Sequence, residues 1–365
     1  MSLRIGIVGL PNVGKSTLFN ALLKKQVAES ANYPFCTIDP NTGTVSVPDP
    51  RLDSLAIIEQ SQKTIPATIE FVDIAGLVKG ASKGEGLGNQ FLAHIRETHA
   101  ILHLLRGFED ENIIRAQGSG STPAEDREII EMELILADLD GMERRMEKNK
   151  SALKSGQKDA KELAALLEKT VAVLAAGKMA STVPLTPAEE PLFKQFQLLS
   201  AKPVLYGLNL SEAEIGQVDV EAHKKRLGLG KGDRLVPLCA KIESDLVDFS
   251  EDERKEMLAS LGLSEPPING LIREAYALLG LITYFTVGPK EARAWPIPLG
   301  FTAPKAAGEI HTDFERGFIR AEVISCEDYI ALKGKNGAKE SGKLRLCGKD
   351  YVMADGDVCN FLFNV

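Results

Sequence analysis

Gly9-Leu10-Pro11-Asn12-Val13-Gly14-Lys15-Ser16 fits G-x-x-x-x-G-K-[ST], the loop that cradles phosphate groups. Its flanks suit that reading. Leu3, Ile5, Ile7 and Val8 form a short apolar run that reads as a buried strand, and Thr17, Leu18, Phe19, Ala21, Leu22 and Leu23 open a helix directly after the loop. Glycines let the backbone turn tightly enough to aim N–H groups at phosphate oxygens. The helix N-terminus adds a partial positive charge. The phosphate contacts are therefore assigned to Asn12, Val13, Gly14, Lys15, Ser16 and Thr17, with Lys15 reaching the β- and γ-phosphates and the Ser16 hydroxyl holding Mg²⁺. The competing reading is a chance match in a glycine-rich turn, and the strand before and helix after argue against it.

Further along, Thr68, Ile69, Glu70, Phe71 and Val72 read as a strand that ends in Asp73-Ile74-Ala75-Gly76. A carboxylate at such a strand end holds Mg²⁺ through water, and a glycine beyond it offers its N–H to a γ-phosphate. Upstream, Thr37 lies in Tyr33-Pro34-Phe35-Cys36-Thr37-Ile38, where a loop threonine can ligate Mg²⁺ and sense the γ-phosphate. Lys15, Asp73 and Gly76 are the expected catalytic groups, and Ser16, Thr37 and Asp73 the expected metal ligands. Order and separation together point to a GTPase-like nucleotide switch.

The base-reading element departs from that type. Guanine is read by Asn-Lys-x-Asp after a strand, the aspartate accepting from N1–H and the N2 amino group. Here the strand-like Pro203–Leu208 runs into Asn209-Leu210-Ser211-Glu212. The lysine is absent and the carboxylate sits on a longer arm. A site that leaves the guanine edge unpaired loses its preference for guanine, because unpaired buried polar groups are expensive. ATP becomes the better candidate, with Asn209 and the backbone of Leu210 meeting the adenine edge and Glu212 counted with them among the nucleotide-binding residues. The alternative is that Asn209 caps the next helix.

With these residues in hand, the chain resembles the Obg-related, YchF-type P-loop ATPases of the translation-factor class. The resemblance runs over essentially the whole length. It is carried by residues 9–17, 32–41, 73–90 and 209–212, and towards the C-terminus by 309–323 with Ile310-His311 and Glu315-Arg316-Gly317-Phe318. It implies ATP with Mg²⁺ in place of GTP, a cytoplasmic location, and association with the ribosome through its subunits, rRNA or tRNA. The same resemblance leaves open a GTPase of this fold, or a nucleotide-gated binding module with little turnover.

Composition agrees with a globular protein. The chain has 365 residues, 44% hydrophobic and 26% charged, enough for two or three domains and a sizeable core. The net charge of −8 means that any nucleic-acid contact has to use a local basic patch. Cys36, Cys239, Cys326, Cys347 and Cys359 lack metal-type spacing and read as reduced thiols. Met1-Ser2-Leu3-Arg4 leads straight into the first strand, which argues against a signal peptide, and no apolar run is long enough to span a membrane. A monomer is expected.

The expected fold is α/β: a P-loop GTPase-like, mostly parallel sheet with an inserted antiparallel helical hairpin and a C-terminal β-grasp. Residues 1–118 and 199–280 form the nucleotide unit, which resumes with the Pro203–Leu208 strand and then Leu235–Lys241 as strand and base-packing loop. Residues 119–198 form the insertion. Met132, Ile135, Leu136, Leu139, Met142 and Met146 recur at helical steps, as do Leu163, Leu166, Leu167, Val171 and Leu174, with a reversal at Ser155-Gly156. Arg144, Arg145, Lys148, Lys150, Lys154, Lys158 and Lys161 bias its tip positively, against Glu143, Glu147, Asp159 and Glu162. That tip reads either as a contact for RNA or an acidic partner, or as a solvated face. Residues 281–365 carry strand-like runs at 317–323, 343–346 and 358–363. With Lys349-Asp350-Tyr351 and Gly356-Asp357-Val358 they resemble the TGS module, a ubiquitin-like β-grasp of binding or scaffold type.

The group that positions water is the open question. Many GTPases place a glutamine after D-x-x-G, whereas this chain has Leu77, which neither donates nor accepts. Glu85, His94, Arg96, His99 and Arg115 are candidates by chemistry. The resembled family carries a histidine proposed as catalytic at the position of Arg115. An arginine there can stabilise transition-state charge but stays protonated and cannot act as a base. Asn12 offers a second device: it either holds a K⁺ ion that supplies charge to the phosphates, or simply shapes the loop.

Overall fold

The protein is described by a computed structural model covering residues 3–30, 41–74, 87–110, 121–154 and 160–364. The apolar run that precedes the phosphate loop forms β1 (Arg4–Val8), the centre of a six-stranded sheet. Its companions are β2 (Thr42–Ser46), β4 (Thr68–Asp73), β5 (Ala100–Arg106), β6 (Val204–Asn209) and β7 (Arg234–Leu238), in the order β2-β4-β1-β5-β6-β7. All pairs are parallel except β2 with β4. Every residue of β5 is buried, as a strand covered on both faces requires. Parallel strands put their carboxyl ends on one edge. The phosphate loop, Asp73, Gly107–Asp110, Asn209–Glu212 and Cys239–Lys241 therefore converge there.

The insertion begins as one long helix, Pro123–Lys154, which packs against a second, Ala160–Ala175. Met142, Leu166, Leu167 and Leu174 fill the seam, and the Asn149 amide donates to the Ala160 carbonyl at 3.0 Å. The expected reversal at Ser155-Gly156 lies outside the described residues. Two details differ from the sequence reading. Met132 is exposed rather than in the seam. Ile130 and Leu134 belong to the core of the first sheet, so the hairpin departs from within a helix and not at a loop. At its base the buried Asp138 carboxylate accepts from Leu199 N (3.0 Å), Ser200 N (2.7 Å) and Ser200 Oγ (2.6 Å), fixing where the chain returns to form β6. Part of the basic character of the tip is spent within the helix: Arg144 pairs with Asp140, and Lys150 with Glu147 at 2.5 Å.

The C-terminal unit is a second, mixed sheet. β8 (Leu281–Val287) and β12 (Asp357–Phe363) are parallel in its middle, β9 (Ala292–Pro298) runs antiparallel to β8, and β10 (Phe318–Ser325) runs antiparallel to both β12 and β11 (Arg345–Cys347). Tyr284, Ile297, Ala303, Ala307, Phe318 and Phe361 form its core beneath the helix Ala303–Ile310.

The sequence does not announce the far edge of this sheet. β3 (Thr64–Ile65), a two-residue strand from the nucleotide unit, pairs with β9, and the full order is β11-β10-β12-β8-β9-β3. The helix Pro50–Glu59 joins it there. Arg51 bridges Asp49 and Asp355, both at 2.7 Å, and Tyr329 donates to Glu59 at 2.6 Å. Leu52 and Leu55 share one core with Phe285, Ile324 and Tyr329. The stretch from β2 to β4 thus starts and ends beside the phosphate loop and is stitched at its midpoint into the C-terminal sheet.

Candidate nucleotide site

The phosphate loop leaves β1 and closes on the helix Lys15–Ser30. Gly14 sits at φ +97°, a left-handed conformation, and a Cβ there would lie 2.3 Å from Asn209 Nδ2. Glycine is needed on both counts. Lys15 is buried, and its Nζ donates to the Leu10 carbonyl at 2.8 Å. Burial lowers the Lys15 pKa, opposed by the negative charge of Asp73. Ser16 and Thr17 are exposed in the first helical turn. The Val13 side chain belongs to the core, which leaves only its backbone for a ligand.

Asp73 closes β4. Burial raises its pKa and the Lys15 ammonium pulls it back down. Its Oδ1 is buried with no hydrogen-bond partner among the described residues. A buried carboxylate oxygen left unpaired is costly. A hydrated hard cation meets that need, so the donor set of Asp73 and the Ser16 hydroxyl fits Mg²⁺. Thr37, Gly76, Leu77, Glu85 and Arg115 lie outside the described residues.

At the other end lies the segment that the sequence assigns to the base. Asn209 ends β6 with its amide bridging two loops: its Nδ2 donates to the Val13 carbonyl and its Oδ1 accepts from Ala240 N, both at 2.9 Å. The amide keeps one N–H and one lone pair for a base. It satisfies the first N–H of the helix Ala240–Asp248, not a helix following β6. Leu210 is buried and its N–H donates to the Leu238 carbonyl at 2.8 Å, so that N–H is unavailable to a base. Glu212 remains, and its carboxylate pairs with Lys241 Nζ at 2.7 Å. Between the phosphate loop and these residues opens a cavity of 780 Å³, whose third wall is Phe108, Glu109 and Asp110.

The sequence reading did not assign that third wall, and it placed Lys241 in the base-packing loop without giving it a partner. Arg106, fully buried at the end of β5, donates to the carbonyls of Phe108 (3.3 Å) and Asp110 (3.2 Å) and lies 4.6 Å above the Phe108 ring. An arginine closing a strand that is apolar apart from His103 was the available signal.

Three candidates for positioning water sit at the wrong edge. His99 Nδ1 accepts from Arg4 N at 3.1 Å, where β1 begins. His94 and Arg96 occupy the last turn of the helix Leu87–Arg96, and the Arg96 carbonyl accepts from Lys202 just before β6. These groups line the amino edge of the sheet, and the phosphate loop follows its carboxyl edge.

The helix behind the base loop carries a proton-sensitive group. Glu243 is buried and accepts from Ile268 N at 2.7 Å. Burial pushes its pKa up to about 7, against that hydrogen bond and the Lys25 charge. Because the folded value lies above the unfolded one, its favourable contribution is complete below about pH 4.3 and is lost as pH rises through about 7. Glu243→Gln is therefore expected to stabilise the protein at pH 8 by about 1–3 kcal/mol relative to wild type, and not at pH 5. Urea unfolding at both pH values tests this, and an equal effect at the two would count against it.

Comparison with known proteins agrees with this geometry. Residues 4–133 match the family described as "50S ribosome-binding GTPase", and residues 281–364 match the YchF-GTPase C-terminal family, described as "Protein of unknown function (DUF933)". The chain is 54% identical over 365 residues to the "Ribosome-binding ATPase YchF" of Escherichia coli O157:H7, and 49% identical over 369 residues to that of Bacillus subtilis (strain 168), with all of both chains covered in each case. The solved Schizosaccharomyces pombe YchF GTPase superposes with a TM-score of 0.88 at 37% identity, over 99% of this chain and 98% of that one. A Pyrococcus horikoshii GTP-binding protein shares the fold at 19% identity and a TM-score of 0.56, over 99% of this chain and all of that one. With full-length identity to its relatives and both of its sheets accounted for, the chain belongs to the YchF family.

Proposed function

We propose that the protein is a Mg²⁺-dependent ATPase that acts as a switch on the ribosome. One observation carries the chemistry: Lys15 lines one end of a cavity and interacts electrostatically with the Asp73 carboxylate, whose Oδ1 is buried and unpaired among the described residues, while the other end of that cavity lacks the guanine-reading Asn-Lys-x-Asp. Lys15 supplies a fixed positive charge to the β- and γ-phosphates, and the backbone of residues 12–17 cradles them. Ser16, Asp73 and Thr37 would hold Mg²⁺, which neutralises phosphate charge when bound. Gly76 is assigned to the γ-phosphate from the sequence. Association with the ribosome is supported by the names of the relatives, and contact with rRNA or tRNA is this reading's own extension of it.

A GTPase reading has support in the description of the family matched at residues 4–133. Calorimetric titration with non-hydrolysable ATP and GTP analogues in Mg²⁺ separates the two. The ATP analogue is expected to bind more tightly, and the reverse order would make the protein a GTPase.

Turnover by the isolated protein is expected to be slow. Leu77 offers water no amide, and three of the five side chains that could replace it lie at the opposite edge of the sheet. Supplying the missing charge in related switches is worth roughly 10³–10⁵ in rate. Phosphate release is expected to rise from sodium to potassium, if Asn12 holds the ion, and again on adding purified ribosomes. Equal rates in all three conditions would remove both the ion and the ribosome from the mechanism.

A further inference from the structure

The Asn209–Glu212 segment holds few groups free to read a base. The Asn209 amide is fixed between Val13 and Ala240 with one N–H and one lone pair left over, and the Leu210 N–H is taken by Leu238. The Ser211 hydroxyl donates to Glu214 at 2.5 Å. The Glu212 carboxylate is the one acidic side chain in the segment that lines the cavity, and Lys241, from the first turn of the facing helix, reaches across the mouth to bind it at 2.7 Å.

We propose that Lys241 sets the base preference of the site by holding the Glu212 carboxylate in an ion pair. This rests on the reading of the cavity as a purine nucleotide site. Guanine presents two adjacent donors, N1–H and the N2 amino group, and needs a carboxylate free to accept both. To offer that surface Glu212 has to leave Lys241. Adenine carries an acceptor at N1 and a single amino donor at N6, so it makes no demand for a doubly accepting carboxylate. The ion pair therefore taxes guanine and spares adenine. This is discrimination by a competing intramolecular partner, added to the loss of the guanine-reading lysine. Lys241 is a positioning residue in this scheme, since it acts through Glu212.

The test measures affinities of non-hydrolysable ATP and GTP analogues, with Mg²⁺, for the full-length protein. Lys241→Met frees the carboxylate and is expected to raise GTP-analogue affinity relative to the ATP analogue by about two- to fivefold, the range an exposed ion pair supports. Lys241→Arg retains the pair and is expected to keep the wild-type ratio. In a Glu212→Gln background, Lys241→Met is expected to leave the ratio unchanged. An unaltered ratio in Lys241→Met would overturn the proposal. So would the same shift in the Glu212→Gln background, which would mean that Lys241 touches the base itself. If the wild-type protein bound neither analogue, the nucleotide-site reading would fall instead, so the two failures are distinct.

Discussion

Lys15→Ala is expected to abolish ATP hydrolysis and to weaken Mg-nucleotide binding by about 1.5–3 kcal/mol, the net worth of a charge-assisted hydrogen bond. That corresponds to roughly 10- to 150-fold in Kd. The expectation comes from where the ammonium sits. It is buried at the start of the helix, tied by one bond to the Leu10 carbonyl and facing Asp73. Its remaining donors are available to phosphate at a point where water screens poorly. Removing it has a second consequence. Asp73 loses the charge that opposes the upward pull of burial on its pKa. In the variant, Mg²⁺ then competes with a proton at higher pH, and metal-dependent binding becomes more sensitive to acid than in wild type. Calorimetry at pH 6 and pH 8 and single-turnover phosphate release at saturating ATP check both effects. Full turnover in the variant would show that this loop is not the active site.

The parts legible in the sequence are those whose chemistry is local. The phosphate loop, the strand ending in Asp73 and the altered base motif each declare themselves within eight residues, because turn geometry and ligand spacing are set by near neighbours. The hairpin seam was legible from its period. What stayed hidden depends on contacts distant along the chain. Asn209 reads as a base contact, and its second task, joining Val13 to Ala240 through its amide, shows only in the structure. Lys241 reads as the end of the base-packing loop, and its pairing with Glu212 shows only in the structure. His94, Arg96 and His99 have suitable chemistry, and only the strand directions put them at the wrong edge. β9 carries Pro296 and Pro298, which argue against a strand. They are tolerated because β3 covers only Ala292 and Arg293, leaving the rest of that edge open. Two residues of β3 give no pattern to read.

Asn209→Ala is expected to cost about 2–5 kcal/mol of stability and most of the nucleotide affinity. It strands the Val13 carbonyl and the Ala240 N–H, and each buried unpaired group costs about 1–3 kcal/mol. The loss of affinity follows from position. Val13 belongs to the phosphate loop and Ala240 to the base loop, so this one amide sets their separation. Asn209→Asp is the sharper variant. It keeps the shape and can still accept from Ala240, but it turns an acceptor towards the Val13 carbonyl and buries a charge. It is expected to lose at least as much as the alanine variant, and wild-type urea midpoints and analogue binding in Asn209→Asp would refute the bridge. Gly14 completes the test, since a Cβ there would stand 2.3 Å from the same Nδ2. Gly14→Ala should therefore be strongly damaging alone and less so beside Asn209→Ala, where the clash is gone and only the strain of φ +97° remains. A double-mutant cycle with no coupling between the two positions would mean that Gly14 is required for its backbone conformation alone, and not for its close approach to the amide that joins the two halves of the site.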